Sequence, residues 1–340
     1  MPTQPLNFAI LGPGIVAEFH QQAIAANGGR LVAVGHYRPE QFAAISARFG
    51  VPCQTEAELL ARPDIDVLVI CTPSGQHAQQ TVAAARAGKH VLVEKPMALT
   101  LADADAMIAA CEQGGVKLGV ALHRRTEPLA QKIHRAIEAG DLGQLTLGLV
   151  TMPYFRGQKY YNLAEWRGTW AQDGGGVLMN QGIHIIDLLV WFMGDPIAVA
   201  AHAGTLQRNI EVEDTLAATL RFANGALATV TATTTAAPGF PHRIELYGSN
   251  GGIQMEGDQI ERWSLVDAGR AVVTPPPAGQ SAAAGAGADP RAVGVSGFTA
   301  IFKDFIEAIH TDRPPLVNGR EGRRSLAAVL AIYQAAGLIQ

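Results

Sequence analysis

The segment Phe8-Ala9-Ile10-Leu11-Gly12-Pro13-Gly14-Ile15-Val16-Ala17 constrains this chain more than any other. An apolar run that stops at one glycine, turns through a second and leads into a helical pattern is how a parallel sheet receives a dinucleotide. Gly12 permits the tight turn, and Gly14 lets backbone N–H groups approach a pyrophosphate. Ala17 is small enough for the helix to pack on the strand. The helix N-terminus, opened by Ile15 and Val16, adds partial positive charge. A plain strand–helix turn is the competing reading; the strand before it and the helical pattern after it favour the cofactor.

What surrounds that turn has room for a second domain, because 340 residues exceed what one core usually organises. With 48% hydrophobic and 16% charged residues the chain is globular, and a net charge of -4 argues against a nucleic-acid footprint. No apolar run has the length of a membrane span. The opening Met1-Pro2-Thr3-Gln4-Pro5 has neither the basic stretch nor the apolar core of a signal peptide, so a cytoplasmic location is expected. Cys53, Cys71 and Cys111 are scattered without metal-ligand spacing, and no metal is expected.

Up to about residue 125, short β-rich runs alternate with Ala-rich helical ones. Strands are expected over Asn7–Leu11, Leu31–His36, Asp66–Cys71, Val91–Glu94 and Lys117–Ala121, with helices such as Gln76–Ala87 and Leu101–Glu112 between them. That alternation specifies right-handed crossovers and a doubly wound parallel sheet over 1–125. From Leu145 onward strand follows strand. Phe222-Ala223-Asn224-Gly225-Ala226-Leu227 reads as a hairpin with a type I′ turn, and Ser249-Asn250-Gly251-Gly252 as another turn. The second domain, 126–340, is therefore expected to be α/β with a large, mainly antiparallel open sheet and helices on one face. Pro275 through Pro290 reads as a loop, and helices over roughly Gly297–Thr311 and Gly319–Ala336 close the chain, the last able to pack back on the first domain.

Five places carry chemistry. At the end of the second strand, Gly35-His36-Tyr37-Arg38 lacks the carboxylate that binds a ribose diol and repels a 2′-phosphate. Arg38 and His36 are suited to holding that phosphate, so NADP is favoured over NAD; a solvated turn arginine is the alternative. Cys71-Thr72-Pro73 and Glu94-Lys95-Pro96 follow the third and fourth strands, where a parallel sheet exposes its ligand crevice. Lys95 there is a candidate to handle a substrate proton, since a neighbouring positive charge favours its neutral form. In the second half, Gly174-Gly175-Gly176 opens an apolar helix on which Asn180, His184 and Asp187 recur at i, i+4 and i+7, one polar stripe at helical spacing. His184 is read as substrate-facing and Asp187 as a partner fixing its tautomer, with a core histidine as the alternative. Upstream, Tyr160, Trp166 and Arg167 form either a wall for a polyhydroxylated ring or a set of core aromatics, with Arg167 the favoured substrate contact.

Taken together, the glycine turn, Cys71-Thr72-Pro73 with His77, Glu94-Lys95-Pro96 and the triple-glycine/His184 helix resemble the glucose–fructose oxidoreductase, inositol dehydrogenase and rhizopine-catabolism (Gfo/Idh/MocA) family. The resemblance extends through Arg313-Pro314-Pro315-Leu316-Val317 and the final helix. It implies an N-terminal Rossmann domain, and a C-terminal domain whose open sheet makes a homodimer or homotetramer contact. It also implies hydride transfer on a sugar, inositol, sugar acid or nucleotide sugar. Lys95 and His184 match the family's catalytic pair. Asn180 stands where many members carry Asp and is expected to orient a hydroxyl. Gly12, Gly14, Ile15, Val16, His36, Arg38, Cys71, Thr72, Pro73, His77, Glu94 and Lys95 fall on the cofactor side. Lys95, Tyr160, Trp166, Arg167, Asn180, His184 and His123 fall on the substrate side, although His123 departs from the more usual Gln or Asn. Two other readings stay open: a redox-neutral enzyme or lyase that retains its cofactor, and a ligand-sensing regulator without catalysis, which would not need Lys95 and His184.

Overall fold

The computed structural model describes residues 4–267, 270–274 and 295–340. The loop expected over Pro275–Pro290 lies outside them. The chain forms two compact units, residues 4–126 with 295–326, and residues 127–267, 270–274 and 327–340.

In the first unit, β1 (Asn7–Leu11), α1 (Ile15–Ala26), β2 (Arg30–Gly35), α2 (Phe42–Phe49), β3 (Cys53–Gln54) and α3 (Glu56–Ala61) form one half. The other half is β4 (Val67–Ile70), α4 (His77–Arg86), β5 (His90–Val93), α5 (Leu101–Gln113) and β6 (Leu118–Val120). The sheet order is β3-β2-β1-β4-β5-β6 and every pair is parallel. Strand order reverses between β1 and β4, so their carboxyl ends flank the crevice where such sheets take ligands. The strands are apolar at their centres because helices cover both faces: Phe8, Ala9, Ile10, Val67, Val69 and Ile70 are fully buried. Caps punctuate the helices. Thr55 and Glu58 make a reciprocal capping box on α3, and the Thr100 hydroxyl accepts the Asp103 N–H at the start of α5.

The second unit contains α6 (Pro128–Glu138), β7 (Leu145–Pro153), α7 (Gln158–Tyr161) and α8 (Ile183–Met193). Then come β8 (Pro196–Gly204), β9 (Thr215–Phe222), β10 (Leu227–Thr233), β11 (Arg243–Gly248), β12 (Gly251–Glu256), β13 (Gln259–Asp267) and β14 (Arg270–Thr274). They form an eight-stranded sheet, β14-β13-β12-β11-β7-β10-β9-β8. The pairing is antiparallel except between β7 and β10. Leu216, Ala218, Leu220 and Phe222 are buried on one face of β9 while Ala217, Thr219 and Arg221 are exposed on the other, so the sheet has one open face.

The helices α9 (Val295–His310) and α10 (Gly319–Ala335) end the chain. Residues 295–326 were expected in the second domain and belong instead with the first unit. Phe298 stacks on Phe19 of α1 at 5.6 Å, Phe302 meets Phe8 at 5.8 Å, and the Val120 N–H bonds the Val317 carbonyl at 2.9 Å. The β9–β10 hairpin also differs in its turn. A type I′ turn needs positive φ at two central residues, and only Gly225 has it (φ 87°). Gly225 N–H reaches Phe222 O at 3.0 Å and Phe222 N–H reaches Ala226 O at 2.9 Å. That is a type I turn closed by a left-handed glycine, the three-residue hairpin with a bulge.

Candidate active site

The first unit holds the glycine turn. Gly12 has φ 99°, and a Cβ there would lie 2.7 Å from the Cys71 carbonyl and 2.8 Å from the Thr72 nitrogen, so only glycine lets the ends of β1 and β4 meet. Gly14 is the N-cap of α1. No side chain caps that helix among the described residues, and a Cβ on Gly14 would meet nothing within 4 Å. Open space beside the uncapped amides of Gly14, Ile15 and Val16 fits a dinucleotide pyrophosphate. Arg48 of α2, absent from the sequence reading, steadies this turn. It donates to Pro13 O at 2.9 Å and Gly14 O at 3.3 Å, and it pairs with Glu18 at 2.6 Å.

After β2, the Arg38 N–H donates to His36 Nδ1 at 3.2 Å, and the exposed Arg38 guanidinium lies 5.0 Å over the Tyr37 ring. Arg38 makes no ion pair among the described residues. At the ends of β4 and β5 the side chains point less simply than their positions suggested. Cys71 and Pro73 are half-buried, and the Thr72 hydroxyl donates to Gln80 Oε1 at 2.5 Å.

Two residues expected on the cofactor side are engaged within the protein. His77 is buried, with its ring nitrogens 2.8 Å from Pro96 O and 2.9 Å from Thr72 O, so it ties two strand-end loops together and presents no nitrogen to a ligand. Glu94 is also buried. Its carboxylate meets His20 Nε2 at 2.8 Å and accepts the Lys95 N–H at 3.1 Å. Burial raises its pKa, but the His20 hydrogen bond and the charges of His20, Lys95 and His123 outweigh that, leaving it below the usual carboxylate value. His123, expected on the substrate side, is buried, and its ring stacks on Phe298 at 4.7 Å. Glu94 and His77 hold the backbone of half-exposed Lys95 from both sides, through its own N–H and through the carbonyl of Pro96.

The second unit holds the triple-glycine segment. A regular helix was expected from Gly174; instead Val177–Gly182 is a π-helical turn that leads into α8. Asn180 therefore lies in the wide turn and His184 in the first turn of α8, while Asp187 is fully buried farther along. The wide turn has its own anchor, Glu213. One carboxylate oxygen accepts Gly176 N–H at 2.8 Å; the other accepts Leu178 N–H at 2.9 Å and the Tyr333 hydroxyl at 2.8 Å. Tyr333 Oη in turn accepts Met179 N–H at 3.0 Å. A side chain at Gly175 would strike Tyr333 and one at Gly176 would strike Glu213, which is why glycines stand there. Burial pushes Glu213 up to about 7 and Tyr333 well above its usual range.

Asn180 is oriented by a residue the sequence reading did not single out. Its amide donates to buried Asp173 at 2.5 Å, and Asp173 also accepts Gly168 N–H at 2.9 Å. Gln181 Nε2 reaches Asn180 Oδ1 at 3.3 Å and Tyr160 Oη at 3.5 Å. Arg167 donates to Tyr160 Oη at 2.7 Å and lies 4.6 Å over both the Tyr160 and Trp166 rings. The aromatic segment splits between the two readings left open for it. Tyr161 is core, donating to Thr234 at 3.1 Å, whereas Tyr160, Trp166 and Arg167 stay half-exposed.

Known proteins share the sequence and the fold. Residues 6–122 match the family model described as oxidoreductase family, NAD-binding Rossmann fold, and residues 130–254 match the GFO/IDH/MocA C-terminal domain. The 1,5-anhydro-D-fructose reductase of Ensifer adhaerens is 30% identical over 345 residues, spanning 97% of this chain and 96% of that protein. The chain belongs to the Gfo/Idh/MocA oxidoreductase family. The inositol 2-dehydrogenase of Rhizobium meliloti (strain 1021), a further relative, is 29% identical over 75% of this chain and 76% of its own length. The WlbA dehydrogenase from Bordetella pertussis, solved in complex with NADH and UDP-GlcNAcA, superposes with a TM-score of 0.86 at 33% identity, covering 98% of this chain and 97% of that one. As a Gfo/Idh/MocA member with the NAD-binding Rossmann domain, the chain is an NAD(P)-dependent oxidoreductase. Among the described residues, no helix is long and apolar enough to cross a membrane, and no group of three His, Cys, Asp or Glu side chains could hold a metal ion.

Proposed function

We propose that this oxidoreductase interconverts a secondary hydroxyl and a ketone on a polyhydroxylated substrate of the sugar, inositol, sugar-acid or nucleotide-sugar type. The observation that carries the reading is Lys95, held at the carboxyl end of β5 by Glu94 on one side and the His77–Pro96 contact on the other. A positioned amine at the ligand end of a parallel sheet suits proton transfer to or from a reacting oxygen. The relatives named above act on carbohydrate-like compounds by their names, which supports the substrate class.

A nicotinamide cofactor, when bound, accepts or donates the hydride. Gly12, Gly14, Ile15 and Val16 cradle its pyrophosphate, and Cys71, Thr72 and Pro73 border it. On the substrate side, His184 exchanges a proton with the substrate oxygen. Asn180, turned by Asp173, orients a neighbouring hydroxyl, and Tyr160, Trp166 and Arg167 form the wall.

The cofactor is NADP(H) in preference to NAD(H), because no carboxylate stands within Gly35-His36-Tyr37-Arg38 at the end of β2 and Arg38 has no ion-pair partner among the described residues. The open face of the eight-stranded sheet makes a homodimer or homotetramer contact. Three free cysteines suit the reducing cytoplasm.

The test is a spectrophotometric screen of sugars, polyols and sugar acids with NAD+ and with NADP+, and of the matching ketones with the reduced cofactors. Reduction of nicotinamide by at least one carbohydrate is expected. No change with any pair sinks the proposal.

A further inference from the structure

We infer that Arg167 marks a carboxylate subsite, and that the substrate is a sugar acid. This deepens the reading above and rests on its placing the Tyr160–Arg167 wall and the Asn180 turn at the substrate.

The argument begins with charge. Elsewhere in the chain arginines such as Arg62, Arg125 and Arg323 sit against carboxylates. Arg167 has none within ion-pair distance among the described residues. It is half-buried, lies between two ring faces at 4.6 Å, and spends one N–H on the neutral Tyr160 hydroxyl. Its Nε is buried with no hydrogen-bond partner among the described residues. The Arg156 guanidinium lies over the same Tyr160 ring at 5.7 Å. A guanidinium drawn partly out of water without a counter-charge is costly. A ligand carboxylate supplies that counter-charge, and its two oxygens match the planar fork.

Geometry adds the hydroxyl that makes the ligand a sugar acid. Tyr160 Oη accepts from Arg167, so its own proton remains to be donated. Gln181 shares that hydroxyl at 3.5 Å, and its Oε1 is buried without a partner among the described residues. The Tyr160 proton thus stands beside a cation awaiting an anion, and Gln181 links that hydroxyl to Asn180 in the wide turn. A carboxylate flanked by hydroxyls satisfies both.

The experiment titrates the full-length protein with D-glucuronate, D-galacturonate and D-gluconate against D-glucose, D-galactose, D-glucitol and D-glucose 6-phosphate. Trp166, stacked under Arg167, reports binding by its fluorescence, and kcat/KM is measured in parallel. At least one acid should bind and turn over about ten- to a hundredfold better than its neutral parent, the worth of one charge-assisted contact. Arg167→Gln should erase that gap, and Arg167→Lys should restore part of it. Equal use of acid and neutral sugars by the wild type overturns this inference while leaving the oxidoreductase reading intact, and a better response to the phosphate ester overturns the carboxylate assignment. If Arg167→Gln weakens acid and neutral ligands equally and lowers the melting temperature, Arg167 is structural and the inference fails. No turnover of any carbohydrate defeats the functional reading and this inference with it.

Discussion

Replacing Glu213 with glutamine should loosen the turn that carries Asn180, and it should do so with a characteristic pH dependence. Both carboxylate oxygens accept a backbone N–H, from Gly176 and Leu178, at 2.8 and 2.9 Å. An amide in that place must aim its NH2 group at one of those donors, whichever way it is turned. One hydrogen bond is forfeited and a buried donor is left without an acceptor, a cost of about 1–3 kcal/mol. In a unit of this size that lowers the melting temperature by about 2–4 °C for each kcal/mol. The pH dependence follows from burial, which lifts the Glu213 carboxyl from 4.5 to about 7 in the folded chain. Folding therefore favours the protonated form. The stability this group contributes is complete below its unfolded pKa and is lost as pH rises through about 7. That interval corresponds to about 3 kcal/mol. Glutamine does not titrate, so the stability advantage of wild type over Glu213→Gln should shrink from about pH 5 to about pH 8. Thermal unfolding followed by circular dichroism across that range measures it. An advantage that widens with pH, or no difference at any pH, would refute the reasoning.

Lys95→Ala and His184→Ala should each lower kcat by about 10²–10⁴-fold while dinucleotide affinity persists, as judged by fluorescence titration of NAD(P)H; parallel loss of fold and rate would make both residues structural. Gly14→Ala should fold and melt like wild type, since its Cβ meets nothing within 4 Å, yet bind dinucleotide at least about tenfold more weakly. Gly12→Ala, whose Cβ would lie 2.7 Å from Cys71, should lose stability itself, and a normal melting curve would contradict that contact. Arg38→Ala should weaken NADP(H) about ten- to a hundredfold and leave NAD(H) within a few-fold, read from paired titrations; equal effects would make Arg38 a bystander.

Much of the fold was legible because its signals are local. The five expected strands of the parallel sheet all fall within one residue of their expected ends, β4 and β6 each stopping one residue short at both, since glycine, proline and polar turns bound short apolar runs. The two-residue β3 escaped notice, having too little pattern to see. The glycine turn was legible for the same reason: its six residues are neighbours in sequence. Side-chain direction was not. Glu94 and His77 stand beside the ligand end of the sheet in sequence, but the first turns toward His20, 74 residues away, and the second toward Pro96. The supports of the wide turn were illegible because they are distant: Tyr333 reaches Glu213 across 120 positions and Met179 across 154. Asn-Gly predicted the β9–β10 hairpin correctly but not its turn type, which depends on the sign of φ at Asn224 and not on composition.

Direct transfer of deuterium tests the central claim. A carbohydrate that the enzyme oxidises is prepared with deuterium on its reacting secondary carbon, and the reduced cofactor is analysed by mass spectrometry and NMR after turnover. The account predicts one deuterium on the nicotinamide ring in every molecule of reduced cofactor, formed about 10²–10⁴-fold more slowly by Lys95→Ala. Reduced cofactor carrying only solvent hydrogen, or substrate conversion with no label on the nicotinamide, would contradict it.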